Sequence, residues 1–184
     1  MDKPRNFYKG TYHHLFNRGA NKEEIFFERA NYLYFIEKMK HYKNKYKIEL
    51  LTYCLMPNHF HLFVTQLTEE YSNSGFISSL LNSYTKSINK SYRKSSTLLE
   101  SKTKNKEIKD DSYFKWIIKY ILENPVKAGL VNNITDWEYS SAKDLLIMEK
   151  GDLINSKEVR AFFQSQEQMK LFLSDKDIKV IYEF

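Results

Sequence analysis

The stretch Cys54–Val64, CLMPNHFHLFV, sets two histidines two positions apart in an otherwise apolar run. Pro57 and Asn58 interrupt that run with turn chemistry. Both flanks are aromatic, branched or aliphatic, so Tyr46–Met56 and the segment from His59 to Leu67 are predicted to be the two strands of a hairpin. Alternate residues of a strand face the same side of a sheet. His59 and His61 therefore share a face, and Phe60 points into the core on the other side. Two neutral imidazoles one strand repeat apart can converge on a divalent cation and leave positions open for oxygen ligands, water and substrate. They can equally be two ordinary histidines on a polar sheet face.

Outward from the hairpin the hydrophobic period changes repeatedly. GTYHHLFNRG (Gly10–Gly19) is strand-like and closed by a glycine. From Arg29 to Tyr42, the residues Tyr32, Phe35, Ile36, Met39 and Tyr42 recur at helical spacing. Downstream, Phe76, Ile77, Leu80, Leu81, Tyr84 and Ile88 mark a second helix. Phe114, Ile117, Ile118, Ile121 and Leu122 mark a third, capped by Asp111 or Ser112. The order strand, helix, strand, strand, helix, helix predicts an α+β domain, an antiparallel sheet with helices on one face. After Val131, DWEYSS and a helix over Ser156–Leu173 form a C-terminal extension.

A chain of 184 residues, 42% hydrophobic and 16% aromatic, supports one core rather than two. Lys+Arg 29 against Asp+Glu 23 leaves a net charge of +6, which favours a polyanionic partner, nucleic acid ahead of an acidic membrane surface. The single cysteine, Cys54, excludes an intramolecular disulfide, a cysteine zinc cluster and a dithiol redox site, and is read as a small core residue. No run approaches the ~18 apolar residues of a membrane span, and the N-terminus lacks the apolar core of a signal peptide. A soluble intracellular chain is expected. An HxH strand in a metallohydrolase barrel is excluded by size, because that fold needs roughly 200 residues or more.

A third ligand and a reactive group both occur in FKWIIKYILENPVKAGLV. Tyr120 and Asn124, four apart, lie together on a flank of the third helix, away from its apolar stripe. A carboxamide oxygen is a hard neutral donor suited to Mg²⁺ or Mn²⁺, and a phenol one turn earlier stands beside any phosphate the metal holds. Pro125 disfavours helical geometry at Asn124, which places the pair at the helix end. The bland reading is a partly exposed tyrosine and a C-terminal asparagine. Tyr84 is the rival nucleophile, but it lies within its helix's apolar stripe and has Ile88 at i+4, so burial is its expected role. On the opposite face of that helix Lys86, Lys90, Arg93 and Lys94 form a basic row that, with Lys102, Lys104 and Lys106, can track a phosphate backbone or simply be solvated. His13, His14 and Arg18 of the first strand are candidates to line a DNA cleft, or ordinary surface or core residues.

Taken together, MPNHFHLFV, the Tyr120/Asn124 pair within KYILENPVKAGLV, YHHLFNRG and DWEYSS resemble the single-tyrosine HUH transposases, specifically the REP-associated tyrosine transposase branch. The resemblance runs from about residue 11 to residue 141. It implies a ferredoxin-like, HUH endonuclease-type fold, with residues 1–135 as the catalytic domain and 136–184 as an extension packed on it. It also implies His59, His61 and Asn124 as ligands of Mg²⁺ or Mn²⁺, with Tyr120 as nucleophile. The chain departs from the family where STLLESKTKN (Ser96–Asn105) replaces a Gly-x-Leu-Phe-x-x-Arg segment. The implied activity is cleavage and rejoining of single-stranded DNA at hairpin-associated sites through a 5′-phosphotyrosine, in the bacterial cytoplasm and nucleoid, by a monomer or homodimer. A domesticated hairpin-binding protein and a hydrolytic single-strand nuclease are the alternatives.

Overall fold

Apolar patterning of period two and of period 3.6 alternates along the chain, and all but one of the main elements follow it: β1 (Tyr12–Arg18), α1 (Arg29–Tyr46), β2 (Ile48–Met56), β3 (His59–Gln66), α2 (Asn73–Ser91) and α3 (Asp111–Lys127), with β4 (Lys104–Ile108) the exception. The computed structural model describes residues 8–70, 72–93, 95–147 and 151–175. The four strands form one antiparallel sheet in the order β2-β3-β1-β4. β1 and β2 thus flank β3, each antiparallel to it, which is the ferredoxin-like arrangement. A register shift between Leu50 and Thr52 adds one residue to β2, so parity on that strand changes at Leu51.

Each face of the sheet has its own helices, where the sequence pattern placed them all on one. On one face Phe60 packs against Phe35 of α1, which meets Tyr84 of α2 edge-on. α3 follows β4 onto the opposite face, which presents Phe63 and Tyr12 and needs an apolar cover; Phe114 supplies it, with ring centroids 4.9 Å from both. Burial of these rings provides the main driving force, on the order of 25 cal/mol per Å² of apolar surface removed from water.

Several boundaries differ from the patterns. β4 carries Lys104 and Lys106 and buries only Ile108, so it shows no apolar alternation; lysines suit an edge strand, where they discourage further pairing. α3 is capped by Asp110, whose carboxylate accepts from the Tyr113 N–H at 2.9 Å, rather than by Asp111 or Ser112. Pro125 does not end α3 but lies inside it. Proline has no N–H for the Ile121 carbonyl. The Asn124 side-chain amide lies over that gap, 2.8 Å from the Tyr120 oxygen and 3.5 Å from that of Ile121. The predicted helix over Ser156–Leu173 is two helices, α5 (Ser156–Ala161) and α6 (Gln166–Ser174), after a short α4 (Ala142–Leu146). Ser165 caps α6 by accepting from Gln168 N–H at 3.1 Å, and this favours a new start over continuation.

Tyr139, Ser141 and Asn155 seal the outer border of β2. Leu55 N–H donates to Tyr139 O (2.9 Å), Ser141 N–H to Tyr53 O (3.1 Å) and Asn155 N–H to Leu50 O (2.7 Å). α5 and α6 then lie against α3. Phe162 stacks on Phe114 with centroids 3.6 Å apart, and Tyr12 donates to Glu158 at 2.8 Å. Lys119 of α3 is fully buried and donates to the carbonyls of Phe172 (3.0 Å), Leu173 (3.2 Å) and Asp175 (2.6 Å) at the end of α6, with Glu123 at 2.9 Å.

Candidate active site

Strand parity gathers the chemistry on the face that α3 covers. Arg18 pairs with His59 and Phe16 with His61 across β1 and β3, while Lys104 stands opposite Phe16 on β4. Between the sheet and α3 opens a cleft of about 320 Å³ whose walls include Arg18, Lys22, His59, His61, Lys104 and Tyr120.

His59 and Asn124 are each oriented by a neighbour. Asn58, in the hairpin turn, donates through its amide to Lys22 O (3.1 Å), so its oxygen meets His59 Nδ1 at 2.7 Å. A carboxamide oxygen only accepts, hence His59 carries its hydrogen on Nδ1 and presents the Nε2 lone pair outward. Asn124 is turned by the bond from its amide to Tyr120 O, which aims its oxygen at His59 Nε2, 3.4 Å away. Two lone pairs face each other at that separation, with His61 beside them (ring centroids 5.1 Å), an arrangement that could hold a cation. Among the described residues no group of three or more His, Cys, Asp or Glu side chains is placed to hold a metal. Two imidazoles and a neutral oxygen are the donors that could hold a divalent ion here, and they would leave its charge for phosphate to balance.

The Tyr120 ring stands edge-on to His61, with centroids 5.4 Å apart and planes at 80°. Its phenol is held above its ordinary pKa, chiefly by burial and further by Tyr113, while Asn124 pulls the other way. Positive charge is near: the Lys127 ammonium lies 5.7 Å from the Tyr120 ring centroid. Burial drives the histidines down. It is the first cause for His59 and for His61, which lies well below the usual range, and it takes His14 to about 3.

The other residues singled out in the sequence fall in three places. Arg18 is at the cleft and ion-paired to Glu100. His13 does not line it: β1 parity turns it to the opposite face, where it is buried and bonds Thr11 (2.9 Å) and Asn105 (3.0 Å). Its neighbour His14 takes the cleft side. Lys86, Lys90 and Arg93 are exposed at α2, on the Phe60 side of the sheet and away from the cleft, while Lys94 lies outside the described residues. Tyr84 is fully buried and donates to Ile25 O at 2.6 Å, the core role expected from its place in the apolar stripe of α2. The sequence reading passed over Asn58, Lys22 and Lys127. Lys127 was reachable, since it lies two turns beyond Tyr120 on the same helix.

Acid is expected to destabilise the fold before its carboxylates titrate. His14 and His61 have folded pKa values below the ordinary 6.5, so between those limits the unfolded chain binds protons that the folded chain refuses. Their contribution is complete above about pH 6.5 and is lost as pH falls, by up to about 1.4 kcal/mol per pH unit for each. Urea unfolding at pH 7 and pH 5 measures it; equal free energies at the two would contradict the assignment of neutral buried imidazoles.

The profile of the family described as "Transposase IS200 like" matches residues 6–124. A curated relative from Haemophilus influenzae, named "Putative REP-associated tyrosine transposase", is 31% identical over 106 residues, which is 52% of this chain; the chain spans 60% of that relative's length. Among solved structures, a REP-associated tyrosine transposase bound to a REP hairpin superposes with a TM-score of 0.68 at 17% identity. That match covers 84% of this chain and 94% of the other, and it shows a shared fold.

Proposed function

Because the chain belongs to the IS200-like transposase family, we propose that it cuts and rejoins single-stranded DNA through a covalent bond between Tyr120 and a 5′ phosphate. One observation carries the reading: α3 brings the Tyr120 ring edge-on to His61 of the sheet and, from the same helix, aims the Asn124 oxygen at His59. His59, His61 and Asn124 hold Mg²⁺ or Mn²⁺. Bound there, the ion supplies positive charge that polarises the scissile phosphate and favours the phenolate.

Tyr120 Oη attacks phosphorus and the P–O3′ bond breaks. The phenolic proton passes to water and the departing 3′ oxygen takes one up. The phosphodiester becomes a phosphotyrosine ester of similar energy, so a second 3′ hydroxyl can later displace Tyr120 and restore a DNA strand without ATP. Arg18, Lys22 and Lys104 line the route of the backbone and hold its phosphates. Hairpin DNA is the preferred partner in this reading. It is supported by the fold shared with a transposase bound to a REP hairpin and by the similarity to the Haemophilus influenzae relative.

The test is to incubate the protein with Mn²⁺ and 3′-end-labelled single-stranded DNA bearing a hairpin, then to run a denaturing gel. The expected product is a labelled band at the protein's position that is lost when EDTA is added. Cleavage without that band would point to hydrolysis, and binding without cleavage to a hairpin-recognition protein.

A further inference from the structure

His14 has no role in the chemistry above, yet it makes the most direct contact to His61. The two project from β1 and β3 on the same face, since His14 pairs with Phe63 and Phe16 pairs with His61. His14 Nε2 and His61 Nδ1 are 2.9 Å apart, the ring planes differ by 25°, and both side chains are buried. His14 is also stacked on Phe16 (centroids 4.6 Å, planes 20° apart), with Tyr120 edge-on at 6.2 Å. These neighbours fix the plane of its ring.

A nitrogen–nitrogen contact of that length holds one hydrogen, donated by one ring and accepted by the other. If His14 donates, His61 carries its own hydrogen on Nε2 and that nitrogen is closed to a cation. If His14 accepts, His61 is hydrogenated on Nδ1 and its Nε2 lone pair is free to ligate. Asn58 forces the equivalent state on His59, because a carboxamide oxygen can only accept. An imidazole partner can do either, so His14 is the group on which the ligand state of His61 depends.

We propose that His14 is a positioning residue for the metal site: it accepts the Nδ1 hydrogen of His61 and so presents His61 Nε2 to the cation. The inference rests on the reading that His59, His61 and Asn124 hold a divalent metal. An outer partner of this kind is typically worth 10–100-fold in metal affinity.

Two measurements test it, neither of them an activity. In the ¹⁵N-labelled, Mg²⁺-loaded full-length protein, long-range ¹H–¹⁵N correlations should show His61 protonated on Nδ1 alone, and His14 protonated on Nδ1 with Nε2 bare. The reverse pattern, with His14 protonated on Nε2, overturns the proposal without using a variant. In Mn²⁺ titrations followed by electron paramagnetic resonance, His14→Phe should weaken binding about 10- to 100-fold, and His14→Gln, whose amide oxygen can accept the same hydrogen, should restore most of it. Wild-type affinity in a folded His14→Phe protein overturns the inference alone. Wild-type protein that does not bind Mn²⁺ at all overturns the metal reading beneath it, and the inference with it.

Discussion

Tyr120→Phe is expected to abolish the covalent DNA adduct while leaving hairpin binding and the fold in place. The ring stays to pack against His61 and beneath Lys127, and only the attacking oxygen is lost. Removing a nucleophile that works as part of a unit costs on the order of 10⁶ in rate, so no adduct should be seen at any practical time. Tyr84→Phe should behave in the opposite way. Its hydroxyl donates to the Ile25 carbonyl in the core, and deleting it leaves a buried acceptor unsatisfied, at a cost of about 1–3 kcal/mol in stability with adduct formation intact. Denaturing gels and urea unfolding on the two variants separate the roles. Adduct formation that survives Tyr120→Phe and fails in Tyr84→Phe would move the nucleophile to the other helix.

Lys119→Met is expected to cost about 3–5 kcal/mol of stability, more than Tyr84→Phe, because it breaks a buried charge network by removing one partner. A helix leaves its last carbonyls without intrahelical donors and ends in partial negative charge. α6 resolves both with one ammonium from α3, which Glu123 also contacts while Lys127 holds its other oxygen at 2.8 Å. Methionine keeps the stem and removes every one of those donors. Urea unfolding should register the loss, and hydrogen exchange should find residues 166–174 opening first. A change within about 1 kcal/mol would mean that α6 is held by its apolar face alone.

What the sequence disclosed follows from where the physics is local. The hairpin at Pro57-Asn58 and the i, i+2 spacing of His59 and His61 set their shared face without knowledge of the rest, and the i, i+4 spacing of Tyr120 and Asn124 did the same on α3. β4 was invisible because an edge strand that buries one residue leaves no alternation to read. His13 and His14 could not be sorted, since parity along β1 becomes a choice of face only once its register against β3 is known. Lys119 was unreadable for a related reason. A lysine becomes a buried donor only when a helix from 53 residues downstream brings its carbonyl end to meet it.

The seal along β2 also bears on association between copies. An unpaired strand offers a row of donors and acceptors to any extended chain, and here Tyr139, Ser141 and Asn155 have already taken that row on one side of the sheet. Strand exchange between molecules is thereby confined to the far border, β4, whose lysines repel a like-charged visitor and whose Lys104 stands in the cleft wall. If DNA occupies the cleft as proposed, self-assembly by sheet extension and a nucleic acid strand would compete for the same narrow margin, and added hairpin DNA should disperse a polymerised form of the protein.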